Sequence, residues 1–518
     1  MNIFDTPLDR RRLLQYGAAI GAVSTLPFAP AKAAMRKKGG TMRMGKAHGQ
    51  TTDSLDPGVA ENGFTTALMF GVHGFLTEVG KDGSLQPSLA ESWEASADAA
   101  SWRFKLRKDV TFHDGKTLDA DDVIAAINHH RGAESTSAAG PIVKPIKEIK
   151  ADGKDTVVFD LEAGNADFPF VLSDYHVAIV PAKDGKAHWQ SGNGCGAYKL
   201  DSFKPGITAE LSRHEGHWDS DRGFFDSIEM LALVDLNART TALITGDVDA
   251  IDRLDLKTVG LLKRRPQVKV HSVAGTQHFT FAMSTKQKPF DDVNVRLALK
   301  YGVNRQELVD KILFGYGEVG NDHPIGSGQR YYNKDLAQRE YDPDKAKFHL
   351  KQAGLDSLKV DLSAADAAFG GAVDAAVLYQ NSAKKAGIEL AVKREPNDGY
   401  WADIWMKKPF CAVYWSGRPV EDQMFSTAYA SGAAWNDTFW ENARFNELLT
   451  AARAELDDEK RRAMYYEMQE IVHDDGGTVI PMFAAYVFAT NDKLDFGGDF
   501  ASNWSSDGER WMERWSFT

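Results

Sequence analysis

Leu85 to Arg131 reads LQPSLAESWEASADAASWRFKLRKDVTFHDGKTLDADDVIAAINHHR. Trp102, Phe104 and Leu106 alternate with Arg103, Lys105 and Arg107, the period of a strand with one buried face. Val110 and Phe112 resume the alternation, and His113-Asp114-Gly115-Lys116 has the composition of a turn. Asp119 is placed to cap a helix, with Asp122 three residues on toward the free N–H groups. Leu118 and Val123 occupy the two positions of a hydrophobic staple, and Ile124 and Ile127 continue the apolar face.

These residues carry a resemblance. L-A-E-S-W at 89–93, S-W-R-F-K-L-R-K-D-V-T-F-H-D-G at 101–115 and L-D-A-D-D-V at 118–123 resemble the signature of the family 5 extracytoplasmic solute-binding proteins. These are the peptide, opine and nickel receptors that feed ABC importers. P-F-D-D-V-N-V-R-L-A-L-K-Y-G-V-N-R at 289–305 is a second match, and Gly246-Asp247-Val248-Asp249-Ala250 a third. His217-Trp218 stands where the family has Y-W. The resemblance implies an α/β, two-lobed periplasmic binding protein (type II) with a subdomain inserted in the first lobe. On that reading 34–275 form the first lobe, with the insert at about 85–185. Residues 276–484 form the second lobe, and 485–518 return to the first. The crossings are expected at 272–284, within the extended stretch VKVHSVAGTQHFTFAM, and at 476–487, with Val479 to Phe483 carrying the chain back. Helices are expected at Thr65 to Leu76, Asn237 to Asp249, 372–386 and Asp457 to Asp474.

A chain of 518 residues is too long for one ordinary core. The net charge is −12, and the first 33 residues hold four basic and two acidic groups, so the rest carries −14. An acidic chain without a basic block excludes ordinary nucleic-acid binding. Cys195 and Cys411 are the only cysteines; nothing places them together, and two isolated thiols are expected. Residues 1–33 read as an export signal. Arg10-Arg11-Arg12-Leu13-Leu14-Gln15 resembles a twin-arginine motif, followed by a modest apolar run to Phe28 and Ala31-Lys32-Ala33 for cleavage. The run is shorter than the ~20 residues of a membrane-spanning helix. A periplasmic protein, cleaved near Ala33, is expected.

Aromatic density rises between Tyr400 and Trp440. Tyr414, Trp415 and Trp435 are candidates for a wall against an organic ligand, since such rings bury much area at little entropic cost. Cys411-Ala-Val-Tyr-Trp reads as a strand running into Ser416-Gly417-Arg418-Pro419. Arg418, held between Gly417 and Pro419, offers a planar fork suited to a carboxylate or phosphate. Many peptide-binding members of the resembling family have W-x-G-D here, and their aspartate holds the peptide amine; this chain has Trp415-Ser416-Gly417-Arg418. The exchange shifts the expectation toward an anionic solute, such as an opine or another amino-acid or sugar-acid conjugate. A dipeptide, with its amine on Asp422 or Glu421, stays open.

Further candidates are Gln277 and His278 on the crossing strand, and Asn193 and Cys195 in the Gly-rich turn Gly192 to Gly196, whose glycines are expected to approach the cleft. The resemblance also places Asn62, with Glu61 and Phe64, at the cleft. That turn lacks the Lys-Ser/Thr of a P-loop. No H-E-x-x-H, C-x-x-C or G-x-S-x-G occurs, so no metal, cofactor or catalytic residue is assigned; His278 and His323 are noted because nickel-binding relatives exist. The expected function is capture of a small organic solute by a monomer, followed by hinge closure and delivery to a membrane permease and its ATPase. The alternatives are a secreted α/β hydrolase and a permease-independent sensor or chaperone.

Overall fold

The computed structural model describes residues 36–397, 399–418 and 420–518; the expected export signal lies outside them. Three sheets organise the chain. The first lobe is built on seven strands in the order Tyr198–Lys204, Thr208–Arg213, Ser227–Ala232, Thr41–Lys46, Ala250–Ile251, Tyr486–Asn491 and Val268–Val273. The second has six, in the order Gly317–Val319, Thr478–Ala484, His278–Met283, Phe410–Trp415, Leu358–Ala364 and Ile388–Arg394. Four antiparallel strands between Ala90 and Leu161 form the inserted unit.

The opening stretch folds as its periodicity dictates. Ser101–Leu106 buries Trp102, Phe104 and Leu106; the Trp102 ring meets Phe168 and the Phe104 ring meets Phe159. Asp119 caps Ala120–Asn128, its side chain accepting from the N–H groups of Asp121 and Asp122, while the Asp122 carboxylate accepts from the Asp119 N–H. Leu118 and Val123 are both buried. The early helix runs Gly63–Val72 and the later one Leu236–Thr245, each a little shorter than the apolar spacing suggests.

The chain crosses between lobes twice. Val268–Val273 pairs antiparallel with Tyr486–Asn491 in the first lobe, and His278–Met283 pairs antiparallel with Thr478–Ala484 in the second. The long stretch from Val268 to Met283 is therefore two strands in two sheets, joined by 274–277. Val479 to Phe483 lie wholly in the second sheet, and the return is completed one step later, across Ala485. At this joint a Cβ on Gly275 would overlap the Ala484 carbonyl oxygen, so only glycine lets the two crossings lie this close.

Each lobe is tied by buried charges. Lys46, at the end of its strand, lies 2.8 Å from Asp252 and 2.7 Å from Glu509, binding the C-terminal segment to the first lobe. Trp511 and Trp515 are buried there. In the second lobe Asp322 accepts from Arg305 at 2.6 Å, Arg339 at 2.7 Å and the Ile480 N–H at 2.9 Å. The two guanidinium groups outweigh burial and hold the Asp322 carboxyl well below its ordinary range. Removing one member of such a cluster leaves buried charge uncompensated. Asp322→Ala is expected to lower unfolding stability by about 3–5 kcal/mol, read from urea denaturation; a loss under ~1 kcal/mol would show that the cluster does not hold the lobe.

Candidate functional site

Between the lobes, beside the joint, lies a cavity with ≈ 480 Å³ of unfilled space. The first lobe contributes Val79, Gly80 and Gly83 from a short hairpin, Asp167 and Phe170 from the inserted unit, and Ser502 and Asn503 from the C-terminal segment. Thr276 comes from the crossing. Opposite stand Gly328, Gln329 and Arg330, with Arg418, Val420 and Glu421.

The lobes touch around this space. The Ala166 N–H donates to the Arg453 carbonyl at 2.7 Å. Arg461, on the helix Asp458–Asp475, pairs with Asp167, both nearly excluded from solvent. The Arg330 guanidinium stands 5.9 Å from the centre of the Phe170 ring and pairs with Asp458. These contacts hold the two lobes against one another around the space.

Arg418 is the one residue among the sequence candidates that lines the cavity. Its Nη1 donates to the carbonyls of Ser416 at 3.1 Å and Gly417 at 3.2 Å. Among the described residues no carboxylate lies within ion-pair distance of it, and burial alone lowers its pKa. Gly417 lets this happen: a Cβ there would overlap the Thr276 hydroxyl.

The structure puts the other candidates elsewhere. Trp415 is 5 % exposed and donates its indole N–H to Asp437 at 3.3 Å, as Trp405 does at 3.1 Å. It belongs to the second-lobe core, because alternation along Phe410–Trp415 turns it toward Trp405 and away from the cavity. Burial pushes the Asp437 carboxyl up to about 6 against the pull of these two donors. Tyr414 and Trp435 are 38 % and 49 % exposed, in contact with Trp401 and with Trp405 and Trp415 respectively. Asp422 is taken by Arg453 at 3.1 Å. Asn62 caps Gly63–Val72 and donates to Asp53, and Phe64 is in the core.

The Gly-rich turn also corrects its reading. Gly194 and Gly196 lie where a side chain would strike the backbone of Gly71 and Val72, so the close approach is to a helix end inside the first lobe. Asn193 sits on that turn, half-buried, and Cys195 is in the core of the inserted unit, its thiol pushed up to about 12 by burial. Cys411 is buried in the other lobe, and both thiols are free. Gln277 serves the joint, its carbonyl accepting from the Ala484 N–H at 2.9 Å. His278 is fully buried with Nδ1 3.3 Å from the Thr276 carbonyl. Burial, aided by the hydrogen-bonded ring's nearness to Arg418, leaves it at about 4. His323 is buried near it, but among the described residues no group of three or more His, Cys, Asp or Glu is placed to hold a metal ion.

A family model described as "Bacterial extracellular solute-binding proteins, family 5 Middle" matches residues 84–437. The chain belongs to family 5. This family 5 protein is 25 % identical over 436 residues to the dipeptide-binding protein of Escherichia coli (strain K12), covering 76 % of this chain and 80 % of that one. It is 26 % identical over 433 residues to heme-binding protein A of Haemophilus influenzae, covering 75 % and 77 %. The solved structure of HbpA2 from Haemophilus parasuis superposes with a TM-score of 0.82 at 19 % identity, covering 92 % of this chain and 100 % of that one. That likeness shows the two-lobed fold. Among the described residues no helix is long and apolar enough to cross a membrane.

Glu421, the sequence neighbour of Asp422 and the other acid that a peptide amine would have to use, is 3 % exposed and lines the cavity. Burial raises its carboxyl to about 7, opposed by the Tyr331 N–H at 2.8 Å. A raised carboxylate binds a proton in the native state between about pH 4.5 and 7, so stability falls as pH rises through that window. Glu421→Gln in the solute-free protein is expected to match wild type near pH 4.5 and to exceed it at pH 8 by about 2–3 kcal/mol. Equal urea midpoints at both pH values would remove the buried charge. Trp415→Ala is expected to cost about 3–5 kcal/mol of stability; an unchanged melting temperature with weakened solute binding would return that ring to the cleft.

Proposed function

We propose that this protein captures a small organic solute bearing an anionic group, anchors that group on Arg418, and presents the closed form to an ABC permease. The observation that carries the reading is a half-buried guanidinium lining the interlobe cavity with no carboxylate of the described chain beside it. Desolvating a cation without a partner is costly, so a ligand carboxylate or phosphate recovers more than it would against a surface arginine. The named relatives bind a dipeptide and heme; these are solute-binding proteins and not enzymes, which supports capture over turnover. Hinge closure of two lobes on a solute follows from the double crossing. Periplasmic residence and the partnership with permease and ATPase rest on family membership.

A thermal-shift screen tests the reading, with di- and oligopeptides, opines, sugar acids, oligosaccharides and nickel. A ligand at about a thousand times its Kd stabilises by ~4 kcal/mol. Anion-bearing solutes are expected to raise the melting temperature of wild type and to leave Arg418→Ala unmoved, while the unliganded variant melts no lower than wild type. A ligand that stabilises both proteins equally overturns the assignment.

A further inference from the structure

Asp167 reaches from the inserted unit of the first lobe into a group of four charges that belongs to the second. Glu421 and Asp422 open the helix Glu421–Ala428, Arg453 lies near the end of Ala443–Ala454, and Arg461 stands on Asp458–Asp475. Taken alone, these four are balanced, two acids against two arginines. Asp167 makes it three acids to two. Asp167, Glu421 and Arg461 are nearly excluded from solvent, so water does little to screen the surplus.

Both guanidinium groups are taken. Arg461 pairs with Asp167 and donates its Nε–H to the Ala452 carbonyl at 2.9 Å. Arg453 lies 3.1 Å from Asp422 and donates to the Ser426 hydroxyl at 2.6 Å. Glu421 is left with the Tyr331 backbone N–H at 2.8 Å, and among the described residues no lysine, arginine or histidine nitrogen lies within ion-pair distance of it. We propose that closing the lobes binds a proton on Glu421. With the lobes apart, Arg461 serves the acids of its own lobe; on closing, Asp167 takes that charge and leaves Glu421 uncompensated. The empty protein therefore shuts in mild acid and opens toward alkaline pH.

The other groups around Glu421 do not make up the deficit. Arg330, beside Tyr331, pairs with Asp458, which also accepts from the Tyr331 hydroxyl at 2.9 Å. Arg418 turns its guanidinium back on the Ser416 and Gly417 carbonyls. Tyr465, stacked on Tyr331, has a buried hydroxyl without a partner and brings no charge. Burial, with Asp167 adding to it and the Tyr331 N–H and Arg461 opposing, raises the Glu421 carboxyl to about 7 when the lobes touch. Parting them withdraws Asp167, frees Arg461 and admits water, and each of these lowers it. An acid whose pKa is higher in the shut form favours shutting below that value, and the advantage is lost as pH rises through about 7. Asp437, pushed up to about 6, and Lys300 and Glu509, both near 7, also titrate in this range. Each is buried inside one lobe and keeps its neighbours whether the lobes meet or part. The device needs no solute and is independent of what Arg418 binds.

The experiment measures the interlobe distance in the solute-free protein. Spin labels are placed at Lys154→Cys in the inserted unit and Lys351→Cys in the second lobe, both exposed positions, while Cys195 and Cys411 are buried. Double electron–electron resonance at pH 5, 6, 7 and 8 is expected to show the ratio of shut to open molecules falling about tenfold or more across the range, since each pKa unit between the two forms is a factor of ten. Glu421→Gln should stay shut at pH 8 and flatten the dependence to within twofold. Asp167→Asn, which leaves Arg461 to Glu421 and Asp422 in both forms, should flatten it as well, with fewer shut molecules at pH 5 than wild type. A wild-type ratio that holds constant from pH 5 to pH 8, whether the chain is shut or open throughout, overturns the inference, as does a dependence that survives Glu421→Gln. With no solute present, neither result touches the Arg418 reading, and a solute that ignores Arg418→Ala removes that reading without touching this one.

Discussion

Two strands that pair with each other twice, once in each lobe, constrain everything else in the molecule. Val268–Val273 and Tyr486–Asn491 form one half of this ribbon, and His278–Met283 and Thr478–Ala484 the other. Between the two halves the regular pairing is interrupted, with one hydrogen bond, Ala484 N–H to the Gln277 carbonyl, bridging the joint. Gly275 against the Ala484 carbonyl brings the two crossings together at that point. Thr276, on the same bend, lines the cavity and lies against Gly417, so Arg418 stands next to the joint. Asp167 and Arg461 meet across the gap and are parted when the lobes separate.

The electrostatics of the cavity follow from what the closed form leaves over. Ion pairs that join the lobes or brace their cores are matched: Asp167 with Arg461, Asp322 with Arg305 and Arg339, Lys46 with Asp252 and Glu509. Burying such groups costs desolvation that their partners offset. In the cavity, Arg418 and Glu421 are the two charged side chains of the lining for which no ion pair is found among the described residues.

Local patterns were readable wherever one residue's role is fixed by its neighbours in sequence. The alternation from Trp102 to Leu106 and the cap at Asp119 emerged as spacing predicts, because both are decided within one strand or one helical turn. Arg418 could be singled out from its neighbours Gly417 and Pro419, and the structure adds that it lines the cavity. Trp415 did not resolve, since alternation says that Tyr414 and Trp415 face opposite ways without saying which way the cavity lies. Glu421 and Asp422 pose the same problem. Adjacent on a helix, they differ by about 100°, and only the tertiary position of Arg453 shows which acid is neutralised. The glycines of 192–196 were legible as a close approach, but what they approach, the end of Gly63–Val72, comes from more than a hundred residues upstream.

The strand Tyr486–Asn491 lies between Ala250–Ile251 and Val268–Val273 in the first sheet. Until it is made, Val268–Val273 has no neighbour to join, and Lys46 lacks Glu509. As the chain leaves the ribosome, the lobe that begins first is therefore the one that finishes last. The second lobe, whose six strands all fall between His278 and Ala484, has everything it needs while the first is still an open sheet. A truncation of a few dozen C-terminal residues would spare the later lobe and unmake the earlier one, so the two ends of the gene share responsibility for a single core.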